Sequence, residues 1–214
     1  MPADRTVSTD WTVSTDRTVS TEWTVVIPVK GTADAKSRLG ASADLAMAIA
    51  LDSVEAALGA ARVVVVTTPD AAPLFSALGA SVVDDRGGGL NAAIAAGVAA
   101  AGEGAVAVLL GDVPALSGRE LAATLELAAR HPLAMVADAD DVGTVLITAL
   151  HASSHAPAFG PGSRVAHAAA GYVELSVPAA SGLRRDVDTL EHLLALDPDA
   201  LGARTRALLA AGQS

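Results

Sequence analysis

Two lysines and three aspartates are the side chains of this 214-residue sequence best suited to phosphate chemistry. Lys30 and Lys36 are its only lysines, and Arg38 follows them in the same polar loop, between a short apolar run and a helix-like segment. Backbone N–H groups and the dipole of a following helix favour anions at such a place, and lysine supplies a compact positive charge. An incidental surface loop would explain either lysine alone, but the pair favours a phosphate-binding loop.

The three aspartates, Asp112, Asp186 and Asp188, are predicted to bind a metal ion. Asp112 follows a wholly apolar strand-like run, where a carboxylate is costly unless it meets a cation. Asp186 and Asp188 point the same way in an extended backbone, with Cα atoms about 6.6 Å apart, and a shared cation relieves their repulsion. Three oxygen ligands without a matching His or Cys set favour Mg²⁺ over Zn²⁺. The alternatives are that Asp112 caps a turn and that Asp188 caps the helix after it.

Small and polar residues in two further loops could contact a ligand. The run Gly87-Gly88-Gly89 would allow close approach of the backbone, and Asn91 could bond the edge of a base, although three glycines can equally form a plain turn. Thr144 and Ser163 are hydroxyl residues that could hold an anionic substrate near Gly160. None of the five histidines has metal-ligand spacing with another, and we interpret the pair at 151 and 155 as surface residues.

The elements that would position these residues alternate between strand and helix in the first half of the chain. The pattern predicts strands at 25–29, 62–67, 80–83 and 105–110, and helices at 42–59, 70–78, 90–101 and from the capping box at 117. The second half predicts a mixed extension with strands at 133–137, 144–149 and 172–177, an acidic loop at 138–143, and helices at 164–170 and from 190. We therefore expect an α/β fold with a largely parallel sheet, helices on both faces, and ligands beyond the carboxyl ends of the strands.

Composition limits the classes of protein that remain. The net charge of −10 argues against nucleic acid as the main partner. The absence of cysteine excludes a disulfide framework and thiolate metal sites. No apolar run is long enough to cross a membrane, and the N-terminus is too polar for a signal peptide, so we expect a cytoplasmic protein.

The N-terminus carries a repeat without a predicted chemical role. Residues 5–22 read RTVSTD, WTVSTD, RTVSTE, and an extended conformation would place alternating residues on one face that could add to the edge of a sheet. We favour a disordered extension over 1–22, followed by a single domain over 23–214. Without a P-loop motif, the remaining residues indicate Mg²⁺-dependent phosphoryl or nucleotidyl transfer.

Five motifs occur in an order that resembles the guanylyltransferases of deazaflavin coenzyme (F-420) biosynthesis. They are IPVKGTADAKSRL at 27–39, GGGLNAAI at 87–94, LLGDVPAL at 109–116, FGPGS at 159–163 and DVDT at 186–189. The enzymes of that family join GTP to 2-phospholactate or phosphoenolpyruvate. The resemblance covers about residues 23–197 and leaves out the repeat.

The resemblance implies a Rossmann-like nucleotidyltransferase fold and a role for each motif. The substrate's phosphate would attack the α-phosphorus of GTP and release pyrophosphate, and the product would pass to a downstream deazaflavin transferase. Mg²⁺ would be held by Asp112, Asp186 and Asp188. The triphosphate would contact Lys30, Lys36 and Arg38, the guanine would lie near Gly88 and Asn91, and the phospho-acid would contact Thr144, Gly160 and Ser163. Lys30, Lys36 and Asp112 would act directly in the transfer.

Two other readings remain open. A molybdenum-cofactor or sugar nucleotidyltransferase would use a pterin or sugar phosphate in place of a phospho-acid. A non-catalytic GTP-binding regulator would keep the affinity for GTP without transfer, although a pure binder has no need for three metal ligands. The residues do not decide between phosphoenolpyruvate and 2-phospholactate. The Ala/Arg-rich, Lys-poor composition is typical of a GC-rich bacterial genome, and because bacterial members of the family are generally taken to use phosphoenolpyruvate, the resemblance slightly favours that acid.

Overall fold

The structure is a computed structural model that describes residues 21–29 and 43–211. The predictions made for Lys30, Lys36 and Arg38, for a helix cap at Ser42, and for the repeat as far as residue 20 lie outside the described residues. Within the described part of the chain, no helix combines the length and the apolar character needed to cross a bilayer.

Seven strands form one sheet in the order β3-β2-β1-β4-β6-β5-β7. The strands are β1 (Trp23–Pro28), β2 (Arg62–Thr67), β3 (Ser81–Asp84), β4 (Ala105–Leu109), β5 (Leu133–Ala137), β6 (Thr144–Ala149) and β7 (Val173–Glu174). All neighbouring pairs are parallel except the two that β6 makes with β4 and β5. The predicted α/β fold with a mostly parallel mixed sheet is confirmed.

Helices cover both faces of this sheet. They are α1 (Ala43–Leu58), α2 (Ala72–Leu78), α3 (Leu90–Ala101), α4 (Gly118–Ala128), α5 (Ser163–Ala169), α6 (Leu190–Leu194) and α7 (Ala203–Ala211). Successive strand residues point to opposite faces, so Val25 and Ile27 join the core under α1, α2 and α4, while Val26 joins the core under α3. A side chain at Gly97 would lie 2.7 Å from Val66 Cγ2, so α3 can approach the strands closely only with glycine there.

Two parts of the second half differ from the prediction. The strand predicted at 172–177 is only Val173–Glu174, because it pairs at the edge with β5 and then leaves the sheet. The helix α7 was not predicted. Its first turn is held by Asp52 of α1, whose buried carboxylate accepts hydrogen bonds from the backbone N–H and hydroxyl of Thr205, both at 2.8 Å. A cap supplied from so far along the chain leaves no local sequence signal.

Candidate active site

The candidate site residues that the structure describes lie at or near one edge of the sheet. Because β6 alone is antiparallel, the carboxyl ends of the other strands lie at the edge where β6 begins. Asp112 follows β4, the three glycines follow β3, the acidic loop follows β5, and Thr144 is the first residue of β6. The expectation that ligand-binding groups gather beyond the strand ends therefore agrees with the topology.

Asp112 is tied directly to the segment that carries the other two aspartates. The backbone N–H of Val187 donates to the backbone carbonyl of Asp112 at 2.9 Å. Val187 is buried, whereas Asp186 is half-buried and Asp188 is exposed. The structure thus holds the segment that carries Asp186 and Asp188 against the loop that carries Asp112, although these aspartates lie 74 and 76 residues after Asp112 in the chain.

Two contacts just before Asp186 in the chain also hold the segment that carries Asp186 and Asp188. A side chain at Gly182 would collide with the backbone carbonyl of Ala115, so the segment lies directly on the loop after β4. Glu120, the third residue of α4, completes the predicted capping box with Ser117. The other oxygen of the Glu120 carboxylate accepts hydrogen bonds from the hydroxyl of Ser181 at 3.0 Å and the N–H of Gly182 at 3.2 Å. One glutamate therefore starts α4 and anchors the aspartate segment.

The charged form of Asp186 is disfavoured in the folded chain. Burial raises the pKa of its carboxyl to about 6, and repulsion from Asp138, Asp188 and Asp140 contributes to the rise. Among the described residues, no group of three or more His, Asp or Glu side chains is placed so that it could hold a metal ion. The donor chemistry nevertheless fits Mg²⁺, because the charges that act on Asp186 are the hard carboxylates of Asp138, Asp188 and Asp140, which repel it.

The acidic loop between β5 and β6 is folded back on itself. The Asp138 carboxylate accepts hydrogen bonds from the N–H of Val142 at 3.0 Å and from the N–H of Gly143 at 2.6 Å. The Arg184 guanidinium donates to the Asp138 carbonyl and to the Asp141 carboxylate, both at 2.6 Å. Arg184, which was not singled out from the sequence, thus connects this loop to the segment that carries Asp186.

The glycine run and Asn91 connect two other loops. Gly87, Gly88 and Gly89 have φ values of 82°, 96° and 89°, a region that favours glycine, and Gly89 directly precedes α3. The Asn91 side chain donates to the carbonyl of Phe159 at 3.1 Å and accepts from its N–H at 3.0 Å. Both ends of the amide therefore hold the loop that leads to Gly160.

Thr144 and Ser163 are both buried, and Thr144 contacts a histidine that the sequence analysis passed over. His167 is fully buried in α5, and its Nδ1 lies 3.1 Å from the Thr144 hydroxyl. His167 Nε2 accepts the N–H of Ala158 at 2.9 Å. Burial lowers the pKa of His167 to about 4, with a smaller contribution from His155. Its spacing of four residues from Ser163, on one face of a helix, was the available signal.

The interpretation of the histidines at 151 and 155 as surface residues is wrong for the second. His151 is exposed, but His155 is half-buried and bonds the carbonyl of Val106 at 2.9 Å and the hydroxyl of Tyr172 at 3.1 Å. Burial lowers its pKa. The alternative reading of Asp188 as a helix cap is also wrong, because the Thr189 hydroxyl caps α6.

Several buried polar atoms at this edge have no hydrogen-bond partner among the residues that the structure describes. They include the hydroxyl oxygens of Thr67 and Thr68, at the end of β2, and the Nε of Arg185, beside Asp186. Buried donors and acceptors in folded proteins are nearly always satisfied, and exceptions concentrate at functional sites. Their position agrees with a polar ligand at the carboxyl ends of the strands.

The fold and the family match together identify a nucleotidyltransferase. Residues 43–213 match the family of MobA-like NTP transferase domains, and the chain belongs to that family. Among solved structures, it is similar to a putative nucleotide-diphospho-sugar transferase from Desulfovibrio desulfuricans, with a TM-score of 0.64, 20% identity, and coverage of 90% of this chain and 96% of the other. It is also similar to 2-C-methyl-D-erythritol 4-phosphate cytidylyltransferase from Thermus thermophilus, with a TM-score of 0.56, 20% identity, and coverage of 87% and 98%. These likenesses support the fold.

Sequence relatives narrow the family. The chain is 47% identical to phosphoenolpyruvate guanylyltransferase of Streptomyces coelicolor, over 88% of this chain and 98% of that protein. It is 44% identical to the protein of the same name in Thermomonospora curvata, over 87% of this chain and 88% of the relative. The chain belongs to this family of phosphoenolpyruvate guanylyltransferases.

Proposed function

We propose that this chain is a guanylyltransferase that joins GTP to phosphoenolpyruvate and releases pyrophosphate. A phosphate oxygen of the acid would form a bond to the α-phosphorus of GTP, and the bond from that phosphorus to the bridging oxygen of pyrophosphate would break. The names of the relatives support the choice of phosphoenolpyruvate over 2-phospholactate. The observation that supports the proposal is the hydrogen bond from Val187 to Asp112, because it holds the segment of Asp186 and Asp188 against the loop after β4.

The three aspartates would form the metal site. Asp112, Asp186 and Asp188 would hold Mg²⁺, which when bound offsets the negative charge of a triphosphate. The repulsion around Asp186 supports this role, because a divalent cation relieves it. Asp112 would also act directly in the transfer, and the loop that carries it is held by the contacts with Val187 and Gly182.

The other site residues would bind the two substrates. Lys30, Lys36 and Arg38 would contact the triphosphate, and both lysines would also act in the transfer by neutralising developing charge. Gly88 would lie beside the guanine, and Asn91 would connect that side to the Phe159 loop. The phospho-acid would contact Thr144, Gly160 and Ser163.

The proposed product places the enzyme before another transferase. A diphosphate that links guanosine to a three-carbon acid is an activated donor, so the next reaction would transfer the phospho-acid to an acceptor with release of GMP. In the pathway implied by the resemblance, that acceptor is the deazaflavin of coenzyme F-420, and the partner is the downstream deazaflavin transferase.

Pyrophosphate release from GTP and Mg²⁺ tests the proposal directly. The reaction is run with phosphoenolpyruvate, with 2-phospholactate and with neither acid, and with the downstream transferase and its acceptor present to consume an unstable product. Asp188→Ala should abolish release, whereas Glu126→Gln, which removes one exposed carboxylate on α4, should not. Release with neither acid, or equal release in Asp188→Ala, would overturn the proposal. Turnover with a sugar or pterin phosphate alone would favour the other nucleotidyltransferase classes.

A further inference from the structure

The hydrogen bonds of His167 fix which of its ring nitrogens carries the proton. The backbone N–H of Ala158 can only donate, and it lies 2.9 Å from Nε2. Nε2 is therefore the unprotonated nitrogen, and the neutral ring carries its hydrogen on Nδ1. That hydrogen is donated to the hydroxyl oxygen of Thr144, 3.1 Å away. Full burial lowers the pKa of the ring and keeps it neutral at pH 7.

The tautomer of His167 determines what the Thr144 hydroxyl can do. Because its oxygen accepts from the ring, the hydroxyl proton must point to another acceptor. Within the described residues, no second hydrogen bond of this hydroxyl is present. Thr144 is 3% exposed, so few water molecules can reach the proton. An anionic oxygen that entered here would therefore meet a hydroxyl whose proton is directed away from the ring and can be donated to it.

His167 also connects the other two acceptor-site elements. Ala158, which His167 holds, lies two residues before Gly160, and Ser163 lies one turn before His167 on α5. The ring of Phe159 meets the His167 ring edge-on, with centroids 4.9 Å apart. The buried His167 side chain thus contacts Thr144 and the loop before Gly160, and it lies on the same helix as Ser163.

We propose that His167 is a positioning residue of the acceptor site, which turns the Thr144 hydroxyl proton toward an anionic oxygen of the phospho-acid. The inference rests on the proposed function, because it needs an acid at Thr144. His167 itself does not touch the acid. It acts through Thr144 on one side and through Ala158 on the other.

Two substitutions separate these contacts. In His167→Asn the amide nitrogen lies near the place of Nδ1, so it can still donate to Thr144 while the Ala158 N–H loses its acceptor. In His167→Gln the longer side chain carries its carbonyl to the place of Nε2, so it can accept from Ala158 while Thr144 loses its donor. Both variants replace the same imidazole ring with a side-chain amide, so each serves as the control for the other.

The KM for the acid and the KM for GTP are the readouts. His167→Gln should raise the KM for the acid about 5- to 10-fold, the value expected for one hydrogen bond, and leave the KM for GTP near that of the unaltered chain. His167→Asn should raise the KM for the acid less. A merely structural role would lower the melting temperature of both variants and leave the ratio of the two KM values unchanged. That result, or a larger effect of Asn than of Gln, would overturn the inference.

A measurement on the unaltered protein covers the case in which the variants do not fold. Ring ¹⁵N resonances of labelled histidine report the tautomer, and His167 should remain in the Nδ1–H form at pH 7 and shift when phosphoenolpyruvate is added. The Nε2–H form would refute the inference. If the unaltered chain releases no pyrophosphate with either acid, the proposed function fails as well, whereas turnover with an unchanged KM in His167→Gln refutes only the role of His167.

Discussion

The carboxylate region (Asp112, Asp186 and Asp188) and the Thr144 region (Thr144, Ser163 and His167) lie at the same edge of the sheet under opposite electrostatic conditions. In the carboxylate region, burial raises the pKa of Asp186 to about 6, and repulsion from Asp138, Asp188 and Asp140 adds to the rise. In the Thr144 region, a neutral histidine has both ring nitrogens hydrogen-bonded in the interior. The first region contains a disfavoured charge that a cation stabilises, whereas in the second the protein pairs both nitrogens of the histidine and leaves the Thr144 hydroxyl proton for a ligand.

This difference predicts that the two regions respond to substitution in opposite ways. A group held against repulsion contributes to function while it costs stability. A group held by satisfied hydrogen bonds contributes to both. Residues that support activity at the expense of folding are expected at sites that bind charged ligands.

The largest expected effect is that of Asp186→Asn. Loss of one carboxylate oxygen should reduce guanylyl transfer about 1,000-fold, because charge stabilisation at the reacting phosphates is lost. The same change removes a repelled charge, so at pH 7 without divalent metal the melting temperature should rise. Pyrophosphate release and thermal unfolding test the two parts separately. A fall in melting temperature would contradict the electrostatic argument, and Glu126→Gln supplies the control for loss of a charge elsewhere.

The pH dependence of stability should distinguish the regions next. His167 has a pKa of about 4 in the folded chain and 6.5 as its ordinary value, so its neutral form is favoured by folding. Its contribution is therefore complete above pH 6.5 and is lost as the pH falls toward 4, by about 3 kcal/mol in all. Asp186 has the opposite sign, because its raised pKa makes the folded state gain stability as the pH falls from above 6 toward 3.8.

Because the two windows overlap, the unaltered chain should show a partly cancelled pH dependence. The free energy of unfolding, measured with urea between pH 7.5 and 4.5, should fall more steeply toward acid pH in Asp186→Asn, because only the His167 effect remains in that variant. In His167→Gln, the loss of stability at acid pH should be smaller than in the unaltered chain. If the free energy of unfolding depended on pH in the same way in all three proteins, Asp186 and His167 would not control the stability at acid pH.

Gly182→Ala should have an intermediate effect, and it tests how the carboxylate region is held. A methyl group there would collide with the carbonyl of Ala115, so the aspartate segment must move away from the loop after β4. Overpacking of this kind costs about 2 kcal/mol. The affinity for Mg²⁺ should fall with it. Gly59→Ala is a milder control, since its methyl group would lie 3.2 Å from the carbonyl of Ala56. Equal losses in the two variants would argue against a specific role of the contact at Gly182.

Local signals in the sequence account for most of the fold and for part of the site. Apolar runs predicted β2, β5 and β6, and the Ser117 capping box predicted the start of α4, because the causes of these elements lie within a few residues. The cap of α7 comes from Asp52, and the second role of Glu120 depends on Ser181, so both need contacts across the chain. His167 was missed for the same reason, since its partners belong to two other elements.

The smallest effect is expected for Asn91, which joins the side assigned to guanine with the Thr144 region. Asn91→Ala leaves the N–H and the carbonyl of Phe159 without their side-chain partners, which should cost about 1 kcal/mol. The KM values for GTP and for the acid should rise together by a few-fold, because α3 and the Phe159 loop lose their fixed relation. Asn91→Asp should resemble Asn91→Ala, since a carboxylate can accept from Phe159 but cannot donate to it. A strong rise in the KM for GTP alone would instead mean that the amide contacts the base, and the connection between the two sides would then depend on other residues.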